Sequence, residues 1–365
     1  GGLLPRGACS GGYSFIMTGC PATNMLVSTY MKDLMKKTKP SHAYEAIKRN
    51  HAPGGMMSYE SADDLKFYVK KGYCPGNAGK TLEWAFQDWG LSRMALRMGK
   101  KSDAALYEKR SRAWTPLFNE NIGLILPKKE NGEWLHTDPL NGQGWVEANA
   151  WQATWSVSHD LPKLVELMGG GDAFCEKLNY AFEQARPTDF VHAYSGGYVS
   201  YANQPGCSNA HLFTYGGQPW LTQYWVRQVK EHAYGGITPD KGYGGHDEDE
   251  GQMGAVSALM SLGLFSVTGT EYDSPYYDIT SPIFDKITIK LNKDYYSGDE
   301  FVINVHNNSA DNCYIQKAEL NGTDWIYAQL DHVDFAKGGT LNLWLGNMPN
   351  KSWGKLKYLG FKTNK

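Results

Sequence analysis

From Pro21 to Leu264 the apolar positions recur mostly at helical spacing, and beyond Thr270 they alternate. Met25, Leu26, Thr29, Tyr30 and Leu34 predict a first helix with Lys36 and Lys37 in its last turn. A short helix follows over 41–50, where Ser41 can cap, and the run H-A-P-G-G-M-M breaks the pattern. Residues 61–71 are weakly helical. The stretch 80–98 predicts a long amphipathic helix with Gly99 as C-cap, and 102–118 another, capped by Ser102 or Asp103. Residues 119–146 predict a long loop with short extended pieces. Further helices are expected at 147–168 (closed by Gly169-Gly170-Gly171), 172–186, 210–215, 218–233 and 250–263, with a polar, aromatic loop over 187–209. Long helices alternating with long loops suggest a toroid of helical hairpins with its site loops gathered at one end.

The alternating segments 287–291, 301–305, 314–320 and 341–345 predict strands, with turns at Asp299, Asn307-Asn308 and Gly338-Gly339. The expected fold is mainly α, residues 1–275, followed by a small antiparallel β unit, 276–365. Asn307, Asn321 and Asn350 are N-x-S/T sequons, matches too short to carry weight in an Asn-rich tail.

Composition narrows the function classes. The chain has 365 residues, 41% hydrophobic and 20% charged, room for about two domains. A net charge of -2 makes nucleic acid an unfitting partner. Six scattered cysteines without C-x-x-C argue against zinc and against a disulfide scaffold. No apolar run is long enough to span a membrane, and no signal peptide is visible at the Gly-Gly-Leu-Leu-Pro start. Twelve Trp and 23 Tyr are many, and flat rings stack on sugars, although they also fill cores.

Four stretches are candidates for chemistry. In G-Y-G-G-H-D-E-D-E-G-Q-M-G, four consecutive carboxylates, Asp247 to Glu250, open into an apolar helix. They are either an acidic helix start that meets the macrodipole or a set of bases or metal ligands. In W-V-E-A-N-A-W-Q-A-T-W, Glu147 sits at a helix start among Trp145, Trp151 and Trp155. A desolvated carboxyl suits a general acid, while a first-turn Glu complementing the helix dipole reads equally well. Asn203, Gln204, Asn209 and His211 gather hard-cation ligand types in one loop, or are an ordinary capped turn. Glu83 and Gln87 lie one helical turn apart near Asp88 and Trp89, on a sugar-lining or a solvated face.

Familiar alternatives fail on spacing. From Asp247 an EF-hand would need Gly and Glu where Gln252 and Ala258 stand, and there is no G-x-S-x-G, P-loop or H-E-x-x-H. His159 and His211 do not fall at helical metal spacing. Two separated carboxylate groups, oxygen ligands and abundant aromatics are the inventory of glycoside hydrolysis.

The motifs L-L-P-R-G, K-T-L-E-W-A-F-Q-D-W, V-E-A-N-A-W-Q-A-T-W-S-V-S-H-D, Y-G-G-Q-P-W-L-T-Q-Y-W-V-R, D-E-D-E-G-Q-M-G-A, S-P-I-F-D-K-I-T-I and P-N-K-S-W-G run in order along nearly the whole chain. Together they resemble the calcium-dependent exo-acting α-mannosidases of glycoside hydrolase family 92. The resemblance implies an inverting hydrolase of α-mannosyl residues in glycans, outside the cytoplasm and bacterial, on an (α/α)6 toroid. It implies Glu147 as general acid, Asp249 as general base with Asp247 beside it, and calcium at Asn203 and Gln204. Asp88, Trp89, Trp151, His159 and His211 are candidate sugar contacts.

Two departures accompany the resemblance. Asn203-Gln204-Pro205 stands where the family has Asn-Glu-Pro, and a neutral amide in place of a carboxylate weakens calcium binding. Family members are about twice as long, so the chain is expected to lack an N-terminal β-sandwich domain and the first toroid helices. A hydrolase of another α-mannosyl linkage, or a mannoside-binding relative without activity, are the alternatives.

Overall fold

The structure, a computed structural model, describes residues 3–9, 12–14, 17–59, 61–238, 251–268 and 274–358. They fall into two compact units, Gly1–Asp160 with Thr268–Ser274, and Leu161–Val267 with Pro275–Lys365.

The first unit contains the hairpin β1 (Gly7–Cys9) and β2 (Gly12–Ser14). It continues with α1 (Ala22–Met31), α2 (Pro40–Asn50), α3 (Ala62–Lys71), α4 (Ala78–Arg97) and α5 (Lys101–Arg110). The hairpin β3 (Phe118–Asn119) and β4 (Leu124–Ile125) and the short α6 (Ala150–Ala153) complete it. The organising element is α4. Asn77 caps it by accepting the Lys80 amide at 2.8 Å, and the Ala78 amide donates to the Gly144 carbonyl at 2.8 Å. At the other end Gly99 takes φ 74° and Lys100 donates back to Ala95 at 2.9 Å, which closes the helix as its sequence predicts. Leu91, Met94 and Ala95 of α4 pack with Val27, Ile47 and Tyr107, so α1, α2 and α5 share one core with it.

The polar face of α4 is put to structural use. Gln87 accepts the Cys20 amide at 2.8 Å and donates to Glu83 at 2.9 Å, while Thr18 donates to Glu83. Gly19, at φ +72°, fits between them; a Cβ there would lie 2.5 Å from Glu83 Oε1. Arg6 reaches the same loop, donating to the Gly19 and Met56 carbonyls, each at 2.9 Å, and to Met17. Glu83 and Gln87 are therefore neither a solvated face nor a sugar lining: they pin residues 17–20.

Two predicted helices are shorter than expected. The helix over 102–118 ends at Arg110, and a 3₁₀ turn over Thr115–Leu117 holds Pro116, which has no N–H to continue an α-helix. The helix over 147–168 breaks into α6, 3₁₀ turns at Thr154–Ser156 and Ser158–Asp160, and α7 (Leu161–Leu167). Thr154 turns aside to accept the Ile125 amide at 3.0 Å, and Pro162 cannot donate to the preceding turn.

The second unit holds α7, α8 (Gly171–Ala185), a 3₁₀ helix over Asn209–Thr214, α9 (Pro219–His232) and α10 (Gln252–Leu262). Phe182 of α8 centres an aromatic core, with ring centroids 4.9 Å from Trp225, 5.7 Å from Phe213 and 6.0 Å from Phe190. Eight strands follow: β5 (Leu264–Phe265), β6 (Tyr276–Ile279), β7 (Lys286–Lys290), β8 (Glu300–His306), β9 (Tyr314–Leu320), β10 (Thr323–Asp324), β11 (Gln329–Asp331) and β12 (Gly339–Gly346). The short α11 (His332–Ala336) precedes β12. One sheet has the order β10-β9-β12-β8-β7 and a smaller one β11-β6-β5. All pairs are antiparallel except β12 with β8. The return through β11 and α11 brings β12 back in the direction of β8, where it inserts between β8 and β9. Phe301, Ile303, Val305, Leu341 and Leu343 alternate inward to build the core of this sheet. Gln223 of α9 accepts the Ile315 amide at 2.8 Å, so helix and sheet share a polar tie.

Asp278 of β6 is buried and receives the Tyr215 hydroxyl at 3.1 and 3.0 Å from its two oxygens. Burial pushes its pKa up to about 7, against the lowering effect of bonds from Tyr215, the Val267 backbone and Gln329. A carboxyl raised in the folded state contributes stability that is full below its unfolded value of about 3.9. That contribution is lost as pH rises toward 7. Over that window the loss amounts to roughly 4 kcal/mol. Asp278→Asn is expected to flatten this slope. Urea titrations at pH 5 and pH 8 check it, and an equal effect of the substitution at both pH values would overturn it.

Candidate active site

Glu147 does not start a helix. Helix α6 begins at Ala150, capped by Asn149, whose side chain accepts the Gln152 amide at 3.1 Å. Glu147 precedes the cap with φ 51°, in the left-handed region, and is half-buried. For a non-glycine residue this conformation costs about 1–2 kcal/mol. The neighbouring backbone enforces it from both sides. Upstream, Gly144 is bonded to the start of α4, and the Gly79 Cα faces the Val146 amide so closely that a Cβ would lie 3.1 Å from it. Downstream, the Ala150 amide donates to Pro139 at 3.1 Å. The reading of Glu147 as a dipole-complementing residue of the first turn therefore fails, because it lies outside the helix. Of the nearby indoles, Trp145 and Trp155 are buried, and Trp155 donates to the Trp151 carbonyl at 2.7 Å. Trp151 is half-buried and keeps a surface to offer.

Three other expected sugar contacts are core residues. Asp88 is fully buried on α4 and accepts from His51 Nδ1 at 2.8 Å, Tyr68 at 2.9 Å and Arg110 Nε at 2.7 Å. His51 Nε2 meets the Thr23 hydroxyl at 2.8 Å, so the ring carries its proton toward Asp88. Burial lowers the His51 pKa, against the raising effect of Asp88. Both Asp88 oxygens are thus occupied. Trp89 is buried and packs against His159 at 6.1 Å. His159 is itself buried and donates from Nε2 to the Ser111 carbonyl at 2.9 Å, and burial moves its pKa down to about 4. These three residues gather on one side of α4 as packing, not as a sugar surface.

In the second unit Asn203 caps the 3₁₀ turn Gln204–Gly206, its side-chain oxygen accepting the Gln204 amide at 2.9 Å. Asn203 is buried and Gln204 half-buried. His211 follows in the 3₁₀ helix, fully buried and stacked on Phe265 with centroids 3.7 Å apart. Burial moves its pKa down to about 3, and neither ring nitrogen has a hydrogen-bond partner among the described residues. Asp247 and Asp249 lie outside the described residues.

The glycosyl hydrolase family 92 catalytic-domain model matches residues 1–347. The chain belongs to glycoside hydrolase family 92. A family GH92 inverting mannosidase from Bacteroides thetaiotaomicron is 31% identical, with a TM-score of 0.83 over 97% of this chain and 49% of its own. A second family GH92 alpha-mannosidase from that organism is 25% identical, with a TM-score of 0.85 over 100% of this chain and 48% of its own. An uncharacterized secreted glycosidase of Arthroderma benhamiae is 27% identical across 97% of this chain and 48% of its length. The chain thus spans about half the length of the relatives it matches.

The family-implied calcium is tested by the donors present. Asn203 and Gln204 are amide-oxygen donors, the type a hard cation takes. Donor type fits calcium. No group of three His, Cys, Asp or Glu side chains suited to a metal occurs among the described residues, so the two amides would bring no charge of their own. No described helix is long and apolar enough to cross a membrane.

Proposed function

We propose that this chain carries the catalytic machinery of an exo-acting, inverting α-mannosidase that removes terminal α-mannosyl residues, such as α-1,2-linked ones, from glycans. The observation that carries the reading is Glu147, held half-buried at φ 51° by backbone bonds on both sides, in the family motif V-E-A-N-A-W. Strain maintained against its cost at a carboxylate is what a positioned acid requires. Family membership and the inverting mannosidase named among the relatives support it.

In this reading Glu147 gives its proton to the glycosidic oxygen as the bond to the anomeric carbon breaks. Asp249 takes a proton from the water that forms the new bond on the opposite face, with Asp247 orienting that water. Inversion requires an acid and a base roughly 6.5–9.5 Å apart to admit that water. Trp151 would stack on the terminal sugar and His211 would contact it. Asn203 and Gln204 would hold calcium, whose contribution is to grip the sugar's cis-diol. The protein would act outside the cytoplasm, as the secreted relative does, joined to an N-terminal β-sandwich domain.

The test is a proton NMR time course of α-1,2-mannobiose with the full-length protein, with calcium and with EDTA. β-Mannose is expected first, and only with calcium. Initial α-mannose would overturn inversion, and release in EDTA would overturn the calcium assignment. Mannose binding without turnover on any α-mannoside would favour a binding-only protein with a weakened Gln204 loop.

A further inference from the structure

Residues 136–143 form a loop that leads into the Glu147 segment of the same unit, and both its ends are fixed. At one end the Leu135 amide donates to the Pro127 carbonyl at 2.8 Å. At the other the Gly144 carbonyl accepts the Ala78 amide at 2.8 Å. Gly144, at φ +83°, lies so near Pro127 that a Cβ would come within 2.7 Å of its ring. Between these ends local turns shape the backbone. Asp138 accepts the Leu140 amide at 2.9 Å on its side chain and the Asn141 amide at 3.2 Å on its carbonyl. Asn141 Oδ1 accepts the Gln143 amide at 2.8 Å. Such bonds reach two or three residues along the chain, so they set curvature without fixing where the loop lies.

His136 closes the loop across its width. Its Nε2 lies 2.8 Å from the Gln143 carbonyl oxygen, and since a carbonyl only accepts, Nε2 carries the proton. Nδ1 is buried and has no partner among the described residues. The closed loop presents the Pro139 carbonyl to the Ala150 amide at 3.1 Å. Ala150 is the first residue of α6 and is fully buried, so its N–H has no acceptor inside the helix and takes this one instead. Glu147 stands between the two bonded points, Gly144 and Ala150, at φ 51°. A strained residue stays strained where its surroundings over-determine it. The Pro139 bond contributes to that while Pro139 itself is held, and the His136 bond holds the loop around it.

We propose that His136 is a positioning residue for Glu147. Its Nε2–H bond to Gln143 fixes the loop that anchors the start of α6, and so the backbone from which the carboxyl is presented. The assignment rests on the reading of Glu147 as the acid of a mannosidase. It gives a half-buried histidine outside the family motif a role in the reaction without contact to the sugar.

The test compares His136→Gln with His136→Asn in the full-length protein. Gln carries its amide nitrogen as many bonds from Cβ as Nε2 and can donate to Gln143. Asn places its polar atoms where Nδ1 and Cδ2 were and cannot reach. On α-1,2-mannobiose His136→Asn is expected to lower kcat on the order of tenfold to a hundredfold, with KM little changed, as for a displaced catalytic group. His136→Gln should recover most of that rate. The Asn loss should shrink on a dinitrophenyl α-mannoside, whose leaving group departs without a proton. Hydrogen–deuterium exchange at the Ala150 amide should quicken by about tenfold in the Asn variant alone. Equal kcat for the two variants, or an equal loss on both substrates, would overturn the positioning role. Unchanged Ala150 exchange in the Asn variant would do the same. If the wild type cleaves neither substrate the mannosidase reading fails, and Ala150 exchange still decides whether His136 holds the Glu147 segment.

Discussion

Asp88→Ala is expected to destabilise the protein by about 3–5 kcal/mol, because it removes the fully buried partner of a largely buried ion pair and leaves Arg110 behind. Domains of ordinary stability have about 5–15 kcal/mol in all, so the variant should be near the limit of folding. The effect spreads because Asp88 is the junction of a network. His51 at the end of α2, Tyr68 of α3 and Arg110 at the end of α5 converge on this one carboxylate of α4, and Thr23 of α1 joins through His51. Its removal strips the Arg110 guanidinium, the Tyr68 hydroxyl and the His51 N–H of their shared carboxylate acceptor, in a mostly buried space. Asp88→Asn should cost less, since an amide oxygen still accepts from Arg110 and Tyr68, but it cannot balance the guanidinium charge. Thermal and urea melts check the ranking Ala worse than Asn. A pair of variants with wild-type melting but reduced affinity for mannosides would overturn the structural assignment and restore Asp88 as a sugar contact.

That correction shows what the sequence can and cannot carry. The periodicity of K-T-L-E-W-A-F-Q-D-W places α4 and its Gly99 stop, because apolar spacing and caps are local properties. Whether a polar residue on that helix meets sugar, solvent or another side chain depends on helices distant in the chain. In sequence, Asp88 beside Trp89 looks the same either way. His51 and Arg110 lie 37 and 22 residues from Asp88, with no pattern linking them. Strands β7, β8, β9 and β12 are legible from alternation, but the insertion of β12 between β8 and β9 is not, since alternation is blind to strand order. The small sheet of β5, β6 and β11 is too short for a periodic signal, and nothing in the sequence marks Asp278 within it as buried. The break inside 147–168 lies in Pro162, but the spacing of Trp151, Trp155, Leu161 and Leu164 imitates a continuous helix. In the candidate site, Glu147 is legible as a motif residue, and its backbone conformation is not: nothing in V-E-A-N-A-W announces a left-handed residue before the Asn149 cap.

That conformation gives the second large effect. Glu147→Gln is expected to lower kcat for mannobiose by about 10²–10⁴-fold, the range for losing a positioned acid, with no change in melting temperature. The loss should shrink with the acidity of the leaving group, because a dinitrophenolate departs without a proton whereas a sugar alkoxide does not. A loss of equal size on both substrates would assign Glu147 to binding or positioning and remove it as the acid. Glu147→Gly separates activity from stability in the same residue. At φ 51° glycine avoids the Cβ clash that the native residue bears, so the folded state should gain roughly 1 kcal/mol from relief of strain. Against this the more flexible unfolded chain takes back about 0.4–1 kcal/mol. The net expectation is an inactive protein at least as stable as the wild type, read from urea melts alongside kcat. A substitution that removes a carboxylate and its side-chain contacts without destabilising the fold is the mark of a residue whose geometry serves chemistry. If Glu147→Gly unfolds the protein, the carboxylate is instead a structural tie across the 144–150 segment, and the acid has to be sought elsewhere.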